Sequence, residues 1–239
     1  MMTLNKPLGT IAVIDIETEP DPFAVALAPR GGPANRTALH RITAFSVLSA
    51  IEGDDSEWRA LDLQTRSGSQ EYEMLFDLDA ILTPLQEARA SVVTYNGVAH
   101  DLPALRRRTI ANWLFALPGL RGLANMPHLD LMREATRGGR GSWPSLKDLC
   151  ASCGIPTDHQ LVRAIDEEAS VAHRKCQVDV AATFLLMAHE LSAVRGDSKT
   201  VSRAWLALAD LLQRRTFRKP HLAQFVHHPA IERARAERG

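Results

Sequence analysis

The sequence is poor in cysteine and in aromatics, has no net charge and has no long apolar run. Three cysteines in 239 residues (Cys150, Cys153 and Cys176) are too few, and odd in number, for a disulfide framework. They fit a reducing compartment, so a cytoplasmic location is expected. No window approaches the roughly 18 uninterrupted apolar residues of a membrane span. The opening MMTLNKPLGTIAVIDIETEP has one Lys followed by acids, unlike a signal peptide. With 28 basic and 28 acidic residues, total charge selects no partner class. Aromatics make up only 5%, so any aromatic near a motif is worth locating.

What is present is a hydrophobic content of 45%, normal for a globular chain of this length. The charge is unevenly distributed. Residues 199–239 carry nine Lys/Arg against three acids, and the first 198 carry 19 against 25. An acidic body handling cations and a basic tail handling phosphates would give this asymmetry. A solvated basic helix would give it equally well. A domain over 1–197 and a basic helical tail over 198–239 are expected.

Strands are expected at Thr10–Asp15, Ile42–Ile51, Trp58–Gln64, Ser91–Tyr95 and His128–Leu131. Helices are expected at Glu71–Ala88, Asp101–Phe115, Ser145–Cys153 and Glu167–Val194, the last with an apolar stripe through Val171, Val178, Ala182 and Leu185. Thr18 to Leu39 is rich in proline and reads as a long loop. A meander of strands followed by strand–helix alternation predicts an α/β fold, a mixed sheet flanked by helices. Trp205, Leu208, Leu211 and Leu212 predict an amphipathic helix in the tail, which could pack on the core, contact nucleic acid or bind a protein partner.

Four carboxylates stand out by position. Asp15 and Glu17 alternate at the end of the first strand and therefore share a face. Asp101 opens a helix just after Asn96-Gly97, and Asp179 lies on the long helix. Four acids in one cleft would need cations between them. Hard oxygen donors suit two Mg²⁺ or Mn²⁺, which can act together on a phosphodiester. The alternative is that all four are surface acids.

The segments IAVIDIETEPD and VVTYNGVAHDLPALRRR resemble the first two motifs of DEDD-type 3′–5′ exonucleases. With LHRITAFSVL, HLDLM, SLKDLCASCGIP and CQVDVAATFLLMAHEL in order, the chain resembles the exonucleases related to the proofreading domain of family B DNA polymerases. The resemblance covers about residues 10–195. It implies a ribonuclease H-like fold, with Asp15, Glu17, Asp101 and Asp179 as ligands of two metal ions. It implies substrates with single-stranded DNA or RNA 3′ ends. It also places Ile16 and Thr18 beside the 3′-terminal nucleotide, and Asn96 at the turn before Asp101. Asp130 matches a family position too.

The sequence departs from the pattern before Asp179. The family has a Tyr four residues earlier or a His five earlier; here these are Lys175 and Arg174, with His173 six earlier. A spacing of four is about 400° of helix rotation, so Lys175 would share the face of Asp179. Lys175 could contact phosphate or act as a base, although nearby carboxylates oppose its deprotonation. His173 could serve if the helix began later. Otherwise the site is degenerate and the chain is a module that binds nucleic acid or a replication or repair partner. His100, where the family has Phe, reads as a hydrogen-bonded histidine. Among Arg106, Arg107 and Arg108, not all can face one cleft. Arg137–Ser142 reads as a basic glycine-rich loop. The cysteines read as apolar core residues, with zinc the alternative.

Overall fold

The computed structural model describes residues 4–29, 37–136, 143–159, 170–216 and 219–237. Arg137–Ser142 and the expected helix start at Glu167 lie outside them.

The strands are β1 (Gly9–Pro20), β2 (His40–Glu52), β3 (Trp58–Ser67), β4 (Ser91–Thr94) and β5 (His128–Asp130). The helices are α1 (Pro22–Leu27), α2 (Glu71–Glu87), α3 (Asp101–Ala111), α4 (Pro118–Gly122) and α5 (Leu131–Ala135). They continue with α6 (Leu146–Ser152), α7 (Val171–Arg195), α8 (Lys199–Gln213), α9 (Ala223–Val226) and α10 (Pro229–Ala236). The sheet order is β3-β2-β1-β4-β5. The meander β1-β2-β3 is antiparallel, and β4 and β5 join parallel. This is a mixed α/β sheet flanked by helices, the ribonuclease H-like arrangement.

Alternation along β1 builds both faces. Ile11 and Val13 pack in one core with α7 and α8, whereas Ala12, Ile14 and Ile16 pack in a second core with α2 and α3. Asp15 and Glu17 continue the parity of Ile11 and Val13, so they point toward α7. Between Glu17 and Thr18 the β1–β2 register shifts by a bulge. There Glu17 pairs with Ala44 and Thr18 with Ile42, leaving Thr43 as the extra residue. The expected loop from Thr18 is therefore corrected. The strand continues to Pro20, and α1 follows, capped by Asp21, whose side chain accepts from the Phe23 and Ala24 amides.

Ser170 caps α7 by accepting from the His173 amide, and Gly196, at φ 71°, ends it in the left-handed region. The expected stripe is also corrected. Val171 is exposed, while residues 176–188 are buried on every side. Over this stretch the helix lies between the sheet and the elements beyond it, so no face meets water.

The tail closes over α7. Trp205, Leu208 and Leu212 of α8 and Phe225 of α9 belong to the same core as β1 and α7. Trp58 of β3 donates to the Thr200 carbonyl at 3.3 Å and meets Phe184 edge to face. Below α7, buried Gln177 donates to Thr65 of β3 at 3.1 Å and is 2.8 Å from His221 Nε2. Burial lowers the His221 pKa to about 4, so the ring is neutral and its Nε2–H donates to Gln177 Oε1.

A histidine whose pKa falls on folding loses stabilisation as pH drops from its unfolded value near 6.5 toward 4, because the unfolded chain takes up the proton first. His221→Asn removes that titration. Denaturant melts from pH 7 to 4 should show the wild-type advantage over this variant shrinking as pH falls.

Candidate metal centre

The carboxylates meet where β1 and β4 end. β1 delivers Asp15 and Glu17 on one face. β4 runs into the turn that starts α3 at Asp101, and α7 crosses above with Asp179. Asn96 sits at φ 65°, a conformation Asn tolerates. A side chain at Gly97 would meet Thr94 at 2.3 Å, so only glycine fits there. Asp130, at the end of β5, accepts from the amides of Asn96 (2.9 Å), Val98 (3.1 Å) and Met132 (3.2 Å). It thus fixes both the turn before Asp101 and the start of α5, a role that the matched family position alone did not reveal.

Carboxylate oxygens of Asp15 and Glu17 and the Cys176 sulfur lie within 4.8 Å of one another. Burial raises the Asp15 pKa well above the ordinary carboxylate value, reinforced by the charges of Asp179, Asp101 and Glu17. Burial also raises Glu17 and Asp101, opposed by Lys175 and His100 respectively. Asp15 Oδ2 is sealed from solvent and has no hydrogen-bond partner among the described residues. A buried carboxylate oxygen without a donor, beside three other carboxylates, fits a divalent cation. Burial pushes the Cys176 thiol well up, and the four carboxylates supply hard oxygen donors, suited to Mg²⁺ or Mn²⁺. Among the described residues no cluster of metal-ligating side chains includes Cys150 or Cys153; Cys150 lies in the core and Cys176 Sγ contacts the Asp15 carbonyl at 3.8 Å.

Lys175 is the cation of this cluster. Its ammonium pairs with Glu17 and, at 3.2 Å, with Asp179. Burial alone would lower its pKa, but Asp179, Asp15 and Glu17 outweigh it and hold the group above its usual value. These charges favour the ammonium and oppose a base role for Lys175. His173 does not serve from a loop either. α7 is already helical at this point, and His173 Nδ1 lies 3.0 Å from Ser67 Oγ on β3.

The Ile16 side chain is only 4% exposed and packs in the core beside α2. The hydroxyl of Thr18 is 3.2 Å from His40 Nδ1. His100 Nδ1 lies 3.0 Å from Asp101 Oδ1, and that contact raises the imidazole pKa. Arg108 is bound to Glu71 and Asp21 (2.6 and 2.9 Å).

Relief of the buried Asp15 charge should stabilise the metal-free protein. Asp15→Asn is expected to raise the thermal midpoint in EDTA, by roughly 2–4 °C for each kcal/mol relieved. It should also remove the stabilisation that Mn²⁺ gives the wild type. Because Asp15, Glu17 and Asp101 hold protons more tightly than usual, wild-type Mn²⁺ affinity should fall as pH is lowered. Calorimetry in two buffers should register proton release on binding.

No family model and no curated protein matches the chain. Among solved structures, the family B DNA polymerase of the hyperthermophilic archaeon Pyrobaculum calidifontis is 14% identical over 89% of this chain and 30% of its own, with a TM-score of 0.48. Exonuclease I in complex with the inhibitor BCBP is 13% identical over 84% of this chain and 46% of its own, with a TM-score of 0.40. The zinc-bound E. coli exonuclease I complex with single-stranded DNA is 14% identical over 84% and 45%, with a TM-score of 0.39. The chain spans less than half the length of each.

Proposed function

We propose that the chain is a divalent-metal-dependent 3′–5′ exonuclease. It would hydrolyse single-stranded nucleic acid, DNA in preference to RNA, from the 3′ end and release nucleoside 5′-monophosphates. The observation that supports this reading is the convergence of Asp15, Glu17, Asp101 and Asp179 from β1, α3 and α7, with Asp15 Oδ2 buried and lacking a donor.

These four residues would hold two Mg²⁺ or Mn²⁺ ions, which when bound supply Lewis acidity and favour ionisation of water. The chain holds the carboxylates on rigid elements rather than on loops. Cys176 lies beside Asp15 and Glu17. Protonated Lys175 donates; it would leave its carboxylates for a non-bridging phosphate oxygen. The net step adds water across the terminal P–O3′ bond. The phosphate leaves on the terminal nucleoside, and a proton ends on the new 3′ hydroxyl.

One observation favours a second reading. Lys175 bridges Glu17 and Asp179, so its ammonium could hold a cation position permanently. The chain would then be a degenerate module binding nucleic acid or a repair partner.

Incubation of 3′- and 5′-labelled single strands with Mg²⁺, Mn²⁺ or EDTA separates the two. A metal-dependent ladder shortening from the 3′ end is expected. Asp15→Asn and Asp179→Asn should lower it by at least about a hundredfold, the scale of losing one electrostatic contact to the transition state. Full activity in Asp15→Asn would sink the assignment. Lys175→Gln removes the internal competitor, so half-maximal thermal stabilisation should occur at lower Mn²⁺ concentration than in wild type. If instead wild type ignores Mn²⁺ and only Lys175→Gln responds, the degenerate reading holds.

A further inference from the structure

A groove of about 700 Å³ runs between α3 and α4, starting at Val98 and Leu102 beside the metal centre. Its floor is apolar, and its charged lining is Arg106, Arg107 and Arg121; no Asp or Glu lines it. None of these three arginines makes an ion pair among the described residues, in contrast to Arg108. Arg106 lies five residues beyond Asp101, about 7.5 Å along the helix axis. Val98 donates its amide to Asp130 and Leu102 directly follows Asp101, so this end of the groove adjoins the carboxylates.

Exposed aromatics stand at the far end. Trp113 is 81% and Phe115 57% exposed, with ring centroids 6.1 Å apart. Trp113 sits at φ 59°, an uncommon backbone for a large residue, and this turn presents its indole to solvent. The wall is rigid. Leu120 donates its amide to Asp79 at 2.9 Å, and a side chain at Gly119 would meet the Asp79 carbonyl at 2.8 Å, so α4 lies directly on α2.

Unpaired guanidinium groups along an apolar floor that ends in exposed rings are the chemistry of sequence-tolerant single-strand binding, with phosphates on cations and bases on aromatic faces. We propose that this groove carries the single strand on the 5′ side of the nucleotide being cleaved. Arg106, Arg107 and Arg121 would contact its phosphates, and Trp113 and Phe115 would stack its bases. The direction of the strand rests on reading the carboxylates as a 3′ exonuclease site; the binding itself does not.

The test is anisotropy of a 3′-labelled 20-nucleotide oligo-dT with the full chain in EDTA, where no cleavage occurs, over a series of salt concentrations. Each phosphate contact on a single strand contributes about 0.7 to the salt slope. The double variant Arg106→Glu, Arg121→Glu should therefore flatten the slope by about 1.4 and weaken low-salt binding at least tenfold. Trp113→Ala should weaken binding roughly 5- to 100-fold with the slope unchanged, as expected for stacking. All three positions are exposed, so unchanged thermal midpoints verify folding. Wild-type affinity and slope in the double variant would overturn the proposal, as would failure of the wild type to bind. Binding through the groove without metal-dependent cleavage would leave it standing and overturn the exonuclease reading instead.

Discussion

Carboxylates of like charge do not gather by themselves, so their convergence must be imposed by the scaffold. Here each carboxylate is carried by an element with strong reasons of its own to be where it is. β1 is the central strand, paired on both sides and packed on both faces. α7 is buried around its whole circumference over residues 176–188. The turn before Asp101 is held by two amide hydrogen bonds to Asp130 and by a glycine that nothing larger can replace. Packing elsewhere thus offsets the repulsion at the site, which is how strain is retained where function needs it. The Lys175 ammonium then relieves part of the charge that remains.

Local pattern carries part of this to the sequence reader. The alternation of Asp15 and Glu17 has a fixed geometric meaning on a strand. The four-residue spacing of Lys175 and Asp179 has one on a helix, and both arrangements occur. The sheet order follows from a meander succeeded by strand–helix units. What was illegible is non-local. Ile16 looks like a motif residue, yet its parity on β1 sends it into the opposite core. Val171 continues an apolar spacing but sits on the first turn of α7, beyond the core. The place of Asp130 depends on β5 lying beside β4, and Arg106 differs from Arg108 only because Glu71 and Asp21 lie on one side of α3.

The charge asymmetry of the sequence has a partly internal explanation. Arg203 and Arg215 pair with Glu57 and Asp62 on or beside β3, at 3.1 and 3.0 Å. Arg195, just before the tail, pairs with buried Glu52. Opposite charges at two ends of the chain thus meet in the fold, and this part of the tail's positive charge is used in docking α8 onto the sheet. The arginines left without acidic partners on α3 and α4 come from the body, whose net charge is negative.

The bulge at Thr43 bears on how the chain tolerates change. It lies between the carboxylate-bearing part of β1 and the segment that leads from Thr18 into α1. A slip of one residue along a strand turns every side chain to the opposite face. At Asp15 and Glu17 such a slip would exchange both carboxylates for Ile14 and Ile16. A bulge already accommodates one unpaired residue. Insertions or deletions in the connection between β1 and β2 therefore meet a register break before they reach the site. The loop can vary in length over evolutionary time while the two acids keep their aim.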